Sequence, residues 1–221
     1  MVGHFQEFED EYLEMMYEFF EQDKNGLVRT GELAEKLGVS PASVTEMLRR
    51  LATKGMVLYT PYKGAQLTDK GLVHGKRMKR RHRLAELLLE LLPFEGNHHE
   101  TACRLEHAIN DELEVCLSIL FLDKKVDPSG REIPHPDEVI EQRIHELERS
   151  HMFLSTISKP AQYEIVTMFI PQEMRELFDQ HNISVGTTLL IDESLRIYSN
   201  GVECKLEEEV KSKILVKVVE K

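Results

Sequence analysis

The chain contains no tryptophan, only three cysteines among its 221 residues, and no long apolar run. A membrane-spanning helix needs about 20 consecutive apolar residues, so we expect no membrane partner. The cysteines, Cys103, Cys116 and Cys204, are too few and too widely spaced for a disulfide framework, which indicates a reducing compartment. The first residues are acidic and amphipathic rather than basic and apolar, so we predict a cytoplasmic protein without a secretory signal.

Motifs typical of common enzyme classes are also missing. The sequence has no P-loop, no GxSxG nucleophile elbow and no GxGxxG dinucleotide loop. His99-Glu100 is followed by Thr-Ala-Cys, which does not complete the HExxH pattern of zinc hydrolases. We therefore predict that the chain is not an enzyme and has neither a catalytic residue nor a small-molecule substrate. An enzyme built on its acidic residues is the least favoured alternative.

The charge is unevenly distributed. The formal net charge is -11, yet residues 41–83 hold eleven Lys and Arg and only two acidic residues, Glu46 and Asp69. Phosphate binding depends on the local field rather than on the net charge, so this segment indicates nucleic-acid binding. A solvated basic surface is the alternative interpretation.

Residues 8–68 have the pattern of a winged helix-turn-helix. Apolar spacing predicts helices over 8–21, over 30–38 with Thr30 as its cap, and over 40–55 with Ser40 as its cap. Two β-rich runs, 56–60 and 65–68, then flank a turn over 61–64 that begins with Pro and ends with Gly. In such a fold the second helix of the pair enters the major groove of double-stranded DNA. We expect base or phosphate contacts from Ser40, Ala42, Ser43 and Thr45, and backbone contacts from Arg49, Arg50, Lys54 and Lys63. Basic residues over 76–83 are candidates for flanking phosphates.

The remainder is predicted to be helical and then β-rich. We predict a helix over 68–92 with Thr68 as its cap, a second over 98–121 and a short one over 137–149, with a Pro-rich loop between the last two. Five short β-rich runs follow within 161–221, which predicts a small β-barrel. The fold class is therefore mainly α, with a winged helix-turn-helix at the start and a small barrel at the end.

Candidate metal ligands lie on the two central helices. Cys103, Glu106 and His107 have i, i+3, i+4 spacing, which places them on one helix face, with His99 one turn earlier. His82 and Glu86 form an i, i+4 pair on the preceding helix. Thiolate, carboxylate and imidazole together favour Fe, Co, Ni or Zn over Mg or Ca. The alternative is that Cys103 is a core residue and the His–Glu pair a surface ion pair.

These segments resemble a known family. RRHRLAELLL (80–89) and HETACRLEHAINDELE (99–114) closely resemble the paired helices of the diphtheria toxin repressor family, the iron- and manganese-dependent regulators. EDEYLEMMYEF (9–19) resembles its first helix, DPSGREIPHP (127–136) its following loop, and ISVGTTLLI (183–191) its Src-homology-3-like, FeoA-like domain. The resemblance covers nearly the whole chain.

The resemblance implies a domain organisation and two metal sites. The domains would be a winged helix-turn-helix over 1–72, a helical dimerisation and metal-binding domain over 73–150, a linker over 151–160 and the barrel over 161–221. A primary site would comprise Glu11, Cys103, Glu106 and His107. An ancillary site would comprise His82, Glu86 and His99, with Gln172 and Glu173 of the barrel as further candidates.

Two departures from the family pattern bear on the metal. Iron-type members commonly have Met at the position of Glu11, whereas manganese-type members have a carboxylate both there and at the position of Cys103. The soft thiolate favours Fe(II), with Mn(II) as the alternative and Co, Ni or Zn as substitutes. We thus expect an Fe(II)-dependent repressor of metal-homeostasis genes that binds a palindromic operator as a homodimer. A Mn(II)-responsive member of the family and a metal-independent winged-helix DNA-binding protein remain the alternatives.

Overall fold

The computed structural model describes residues 3–24, 26–170, 174–180 and 182–219. The chain forms two units, Met1–Glu141 and Gln142–Lys221, which are described separately below. Among the described residues, no helix is both long enough and apolar enough to cross a membrane.

The first unit begins with a helix-turn-helix and a β-hairpin, as predicted. Its elements are α1 (Gly3–Gln22), α2 (Thr30–Leu37), α3 (Pro41–Thr53), β1 (Val57–Thr60) and β2 (Gly64–Leu67). Strands β1 and β2 pair antiparallel, and Tyr62 at the tip has a positive φ of 65°. Buried apolar side chains from α1, α2 and α3 form one core, which includes Leu13, Leu33, Leu48 and Leu51. This arrangement is the predicted winged helix.

Local capping explains where the helices of the winged domain begin. The Ser40 side chain accepts a hydrogen bond from the Ser43 N–H at 3.1 Å and Pro41 follows it, so the predicted cap of α3 is confirmed. Thr30 is not the cap of α2. Arg29 takes that position because its N–H donates to the Glu32 carboxylate, which reaches back across the first turn.

Three α-helices and a 3-10 turn complete the central part of this unit. Helix α4 (Asp69–Leu91) begins after Thr68, whose hydroxyl accepts from the Gly71 N–H. The single helix predicted over 98–121 is wrong. It consists of α5 (His98–Leu105), a 3-10 turn at Glu106–Ala108 and α6 (Asp111–Leu120). The break occurs because the Asn110 side chain accepts from the Leu113 N–H and so starts a new helix.

The second unit is an antiparallel sheet. Helix α7 (Glu138–Glu148) contains the boundary between the two units. The strands follow as β3 (His151–Phe153), β4 (Ala161–Met168), β5 (Thr188–Ile191), β6 (Ile197–Ser199), β7 (Val202–Glu203) and β8 (Ile214–Val218), in the spatial order β3-β8-β4-β5-β6-β7. Short helices α8 (Arg175–Gln180) and α9 (Glu208–Lys211) lie between them. The sheet has six strands rather than the expected five, because β3 comes from the segment expected as a linker. Three residues are too few to show an alternating pattern.

A close approach of α1 to α4 positions the functional side chains of the first unit. Gly75 on α4 lies against α1, and a Cβ added there would be 2.4 Å from the Leu13 carbonyl oxygen. Glycine is therefore required at this position because any side chain would separate the two helices.

We predict that Gly75→Ala destabilises the protein by about 1–3 kcal/mol, because the new methyl group would overlap the α1 backbone. Chemical denaturation of the purified variant measures this change. Gly31→Ala is the matched control, since a Cβ at Gly31 meets nothing within 4 Å. Equal stability of the Gly75 and Gly31 variants would contradict the close packing described here.

Candidate metal centre and nucleic-acid interface

Three buried side chains from three different elements meet beside the α1–α4 contact. Glu14 lies on α1, His82 on α4 and Glu106 in the 3-10 turn, and their ligand atoms lie within 4.8 Å of one another. His82 Nδ1 is 2.7 Å from Glu106 Oε2 and 3.8 Å from Glu14 Oε1. His82 and Glu106 are fully buried. We call Glu14, His82 and Glu106 the buried cluster.

A second group of donors shares His82 and extends towards solvent. The Cys103 Sγ atom lies 3.8 Å from His82 Nδ1 and 3.9 Å from His99 Nε2. The Glu86 Oε1 atom lies 3.4 Å from His82 Nε2 and 3.5 Å from His99 Nδ1. Arg131 also contacts Glu86, through Nη2 and Oε2 at 2.8 Å. Cys103 is half-buried and His99 is exposed, so this outer group is open to entering ions.

His107 contacts both the buried cluster and Asp10 of α1. Its Nδ1 atom is 3.5 Å from Asp10 Oδ2, and its Nε2 atom is 3.6 Å from Glu106 Oε1. Asp10 also pairs with His74 Nε2 at 2.6 Å. Glu11 is exposed and belongs to neither group of three convergent donors found among the described residues.

The structure groups the predicted ligands differently from the two sets implied by the family resemblance. Cys103 lies with His82 and His99 of the ancillary set, and Glu106 lies with His82 and Glu14. Gln172 and Glu173 fall outside the described residues. Sequence reasoning missed Glu14, although it lies at i+3 from Glu11 and so one turn along α1. That spacing was the available signal, but acidic residues are so frequent in this segment that it does not single out Glu14.

The donor chemistry of the buried cluster fits a divalent transition metal. Among the described residues, the buried cluster atoms His82 Nε2 and Glu106 Oε1 have no hydrogen-bond partner, and neither has the buried Nδ1 atom of the neighbouring His107. Buried polar atoms without partners are costly, and a cation coordinated by such donors removes that cost. Imidazole and carboxylate suit Fe, Mn or Zn, and the nearby thiolate adds a soft donor.

The electrostatics of the cluster indicate that protons occupy it when metal does not. Burial raises the pKa of Glu106 to about 8. Burial would lower the pKa of His82, but its contacts with Cys103, Glu106 and Glu86 outweigh this effect and raise the pKa to about 11. The cluster therefore binds protons at neutral pH, and a metal must displace them.

The basic segment of α4 is largely consumed by internal ion pairs. Arg80 and Arg81 both contact Glu114, at 3.1 and 2.8 Å, and Arg83 contacts Glu21 at 2.6 Å. Arg80 and Arg83 are buried. The suggestion that residues 76–83 reach flanking phosphates is therefore wrong for these two arginines, because their buried guanidinium groups pair with carboxylates of the same unit.

The side chains that the sequence predicts to contact nucleic acid lie on α3 and the hairpin. Ser40, Ala42 and Ser43 are exposed at the start of α3, while Thr45 is half-buried and donates to the Pro41 carbonyl. A cleft of about 360 Å³ separates α3 from the hairpin. It is lined by basic, hydroxyl and aromatic side chains, among them Arg29, Thr30, Thr45, Arg49, Tyr59, Tyr62 and Lys63. Arg29 and the two tyrosines were not predicted from the sequence.

Arg50 and Lys54, at the C-terminal end of α3, contact α1. Glu9 Oε1 lies 2.5 Å from Arg50 Nε, and Glu9 Oε2 lies 2.5 Å from Lys54 Nζ. Glu9 is only 7% exposed. Helix α1 therefore contacts the buried cluster through Glu14 and the end of α3 through Glu9.

Two models of known protein families match the part of the chain that contains this site. Residues 4–65 match the family model of the iron dependent repressor N-terminal DNA binding domain, and residues 68–135 match that of the iron dependent repressor metal binding and dimerisation domain. The chain belongs to the iron-dependent repressor family. The fold and the convergent donors described above lie within these two matched regions.

Individual relatives agree with this assignment. An uncharacterised HTH-type transcriptional regulator of Methanocaldococcus jannaschii is 40% identical over 120 residues, which are 53% of this chain and 94% of the relative. The diphtheria toxin repressor of Corynebacterium diphtheriae is 33% identical over 130 residues, which are 58% of this chain but only 57% of the relative. The solved structure of the manganese regulator SloR aligns over 96% of this chain and 98% of its own, with a TM-score of 0.51 and 25% identity.

We predict that metal affinity rises with pH between about pH 6 and 8, because the raised pKa values of Glu106 and His82 keep these ligands protonated, so that metal binding must release protons. Each proton that is released when the metal binds raises the metal affinity about tenfold per pH unit. Titration with Mn(II) in a non-coordinating buffer measures the slope. An affinity that does not change across this range would rule out coordination by the buried cluster.

Proposed function

We propose that this chain is an Fe(II)-dependent transcriptional repressor that binds a palindromic operator as a homodimer and controls metal-homeostasis genes in the cytoplasm. The observation that carries the proposal is the buried cluster, in which α1, α4 and the 3-10 turn each supply one ligand atom. A metal bound there would join α1 to the dimerisation domain. Helix α1 also contacts α3, the helix proposed to enter the major groove. No catalytic role is proposed.

The metal would be held by Glu14, His82 and Glu106, with the outer group of Glu86, His99 and Cys103 able to hold a second ion. Glu11 of α1 and His107, which contacts Asp10 of α1, are further candidate ligands. When bound, the metal supplies a positive charge that several carboxylates share. The residues themselves do the coupling, since a cation held by Glu14, His82 and Glu106 together would favour one relative placement of α1, α4 and the 3-10 turn.

The exposed start of α3 and the adjacent cleft are proposed to contact the operator. Ser40, Ala42, Ser43 and Thr45 would face base edges or phosphates in the major groove, and Arg49 and Lys63 would contact the backbone. Arg50 and Lys54 would also attract the DNA backbone, because the single carboxylate of Glu9 neutralises only one of their two positive charges. The side chains at the start of α3 are small, so direct base readout by them is limited, and DNA shape contributes to specificity.

The dimerisation proposal rests on exposed apolar side chains in the region matched to the dimerisation domain. Leu91, Leu92, Leu113 and Leu122 are between 39% and 50% exposed. A second copy of the chain would bury such side chains, and a two-fold dimer matches a palindromic site. The half-sites would then be about one helical turn apart.

Mn(II) is the second candidate for the physiological metal. Two of the three donors in the buried cluster are carboxylates, which suit Mn(II), whereas the thiolate of Cys103 lies in the outer group and is half-buried. Anaerobic operator binding at controlled free Fe(II) and free Mn(II) distinguishes the two. If Fe(II) is the physiological metal, we expect half-maximal operator binding at a lower free concentration of Fe(II) than of Mn(II).

We predict that Glu14→Gln abolishes metal-dependent operator binding, because the amide removes one negative donor from the buried cluster while keeping its shape. The measurement is DNA affinity by fluorescence anisotropy with and without Fe(II), under anaerobic conditions. Glu90→Gln, at an exposed position near the end of α4, is the control and should behave as wild type. Equal metal dependence in the two variants would refute the proposed centre. Metal-independent DNA binding by the wild-type protein would refute the switch.

A second prediction concerns Glu9. Glu9→Gln frees Arg50 and Lys54 from a carboxylate, so the metal-loaded protein should neutralise about one more phosphate charge, and the slope of log affinity against log salt should steepen by about 1. The measurement is operator affinity at several salt concentrations, with Glu90→Gln again as the control. An unchanged slope would show that this end of α3 does not approach the DNA backbone.

A further inference from the structure

A buried lysine contacts the proposed metal centre. The Lys79 side chain on α4 is 3% exposed, and its ammonium group lies 3.0 Å from Glu14 Oε1 and 2.7 Å from Glu18 Oε2. Glu14 and Glu18 are one turn apart on α1, so the lysine lies between two carboxylates of the neighbouring helix. A lysine buried to this extent keeps its charge only because such partners offset its loss of hydration.

The same carboxylate oxygen faces both the lysine and the histidine of the buried cluster. Glu14 Oε1 accepts the hydrogen bond from Lys79 and lies 3.8 Å from His82 Nδ1. A divalent cation ligated by Glu14 would have to share this carboxylate with the ammonium group or displace it. Two positive charges on one buried carboxylate repel each other strongly because the surroundings screen them poorly.

We propose that Lys79 is an internal counter-cation that weakens metal binding and thereby sets the free-metal concentration at which the protein responds. In the metal-free protein the ammonium group neutralises Glu14, so the buried cluster stays folded with α1 against α4. When a metal binds, the ammonium group competes with it for Glu14. This inference rests on the proposed function, since it assumes that Glu14 is a metal ligand.

The test compares metal affinity in three proteins. Lys79→Met keeps the apolar stem and removes the charge, and we expect it to bind Mn(II) at least tenfold more tightly than wild type. Lys76→Met is the matched control, because Lys76 lies on the same helix but lines a different cleft beside Arg77 and His135. It should bind within twofold of wild type. Competition with a fluorescent chelator gives these affinities without any DNA.

A double variant covers the case in which Lys79→Met does not fold without metal. Lys79→Met/Glu18→Gln removes one positive and one negative charge, so the local net charge is that of wild type while Glu14 is released from the lysine. We expect it to bind Mn(II) at least threefold more tightly than wild type. An increase here would show that competition for Glu14 itself, rather than the general field, limits the affinity.

Each outcome separates this inference from the proposed function. If wild type binds Mn(II) and the Lys79 variants bind it with equal or lower affinity, Lys79 is not a competitor, and the metal centre stands without it. If wild type binds neither Mn(II) nor Fe(II), the proposed function is wrong and this inference with it. A second readout supports the first: removal of Lys79 should lower the melting temperature of the metal-free protein and enlarge the increase caused by metal.

Discussion

The contact of α1 with α4 is the constraint on which the rest of the first unit depends. Gly71 and Gly75 let α4 lie directly against neighbouring backbone, where any Cβ would overlap a carbonyl oxygen. This proximity brings a row of acids on α1 to a row of bases on α4, and it places Glu14 beside His82. Closely packed helices carrying buried charges are stable only when those charges are paired. The protein pairs them with Lys79, with His82 and, as proposed, with a metal.

The same contact gives a physical route from metal to DNA. Helix α1 is 20 residues long and carries both contacts. Its Glu9 contacts the end of α3, and its Glu14 belongs to the buried cluster. A ligand can shift such an element only through a difference in binding free energy between two arrangements. Metal coordination by α1 together with α4 and the 3-10 turn would supply that difference, because it strengthens one relative placement of these elements.

Much of the fold follows from local sequence signals, whereas the site follows only in part. Ser40 and Thr68 cap the helices that they were predicted to cap, since a hydroxyl before a helical run acts within four residues. Asn110 breaks the long central helix by the same mechanism, but apolar spacing continues across the break and conceals it. Cys103, Glu106 and His107 could be singled out because their spacing is helical and therefore visible in one segment.

The interactions that sequence reasoning missed join distant segments. Glu14 and Lys79 are 65 positions apart, and nothing in the local spacing of either residue indicates that they meet. The arginines of α4 look like a DNA-binding surface in the sequence, yet Arg80 and Arg83 neutralise Glu114 and Glu21 inside the unit. A charge run does not reveal which of its members face solvent, because that depends on which helix packs against it.

The most direct measurement is anomalous diffraction from crystals grown with Fe(II) or Mn(II), collected at the absorption edge of the metal. A metal-dependent switch centred on the buried cluster predicts an anomalous peak within coordination distance of Glu14, His82 and Glu106. Crystals whose anomalous peaks lie only at surface carboxylates, with no metal among these three side chains, would contradict it.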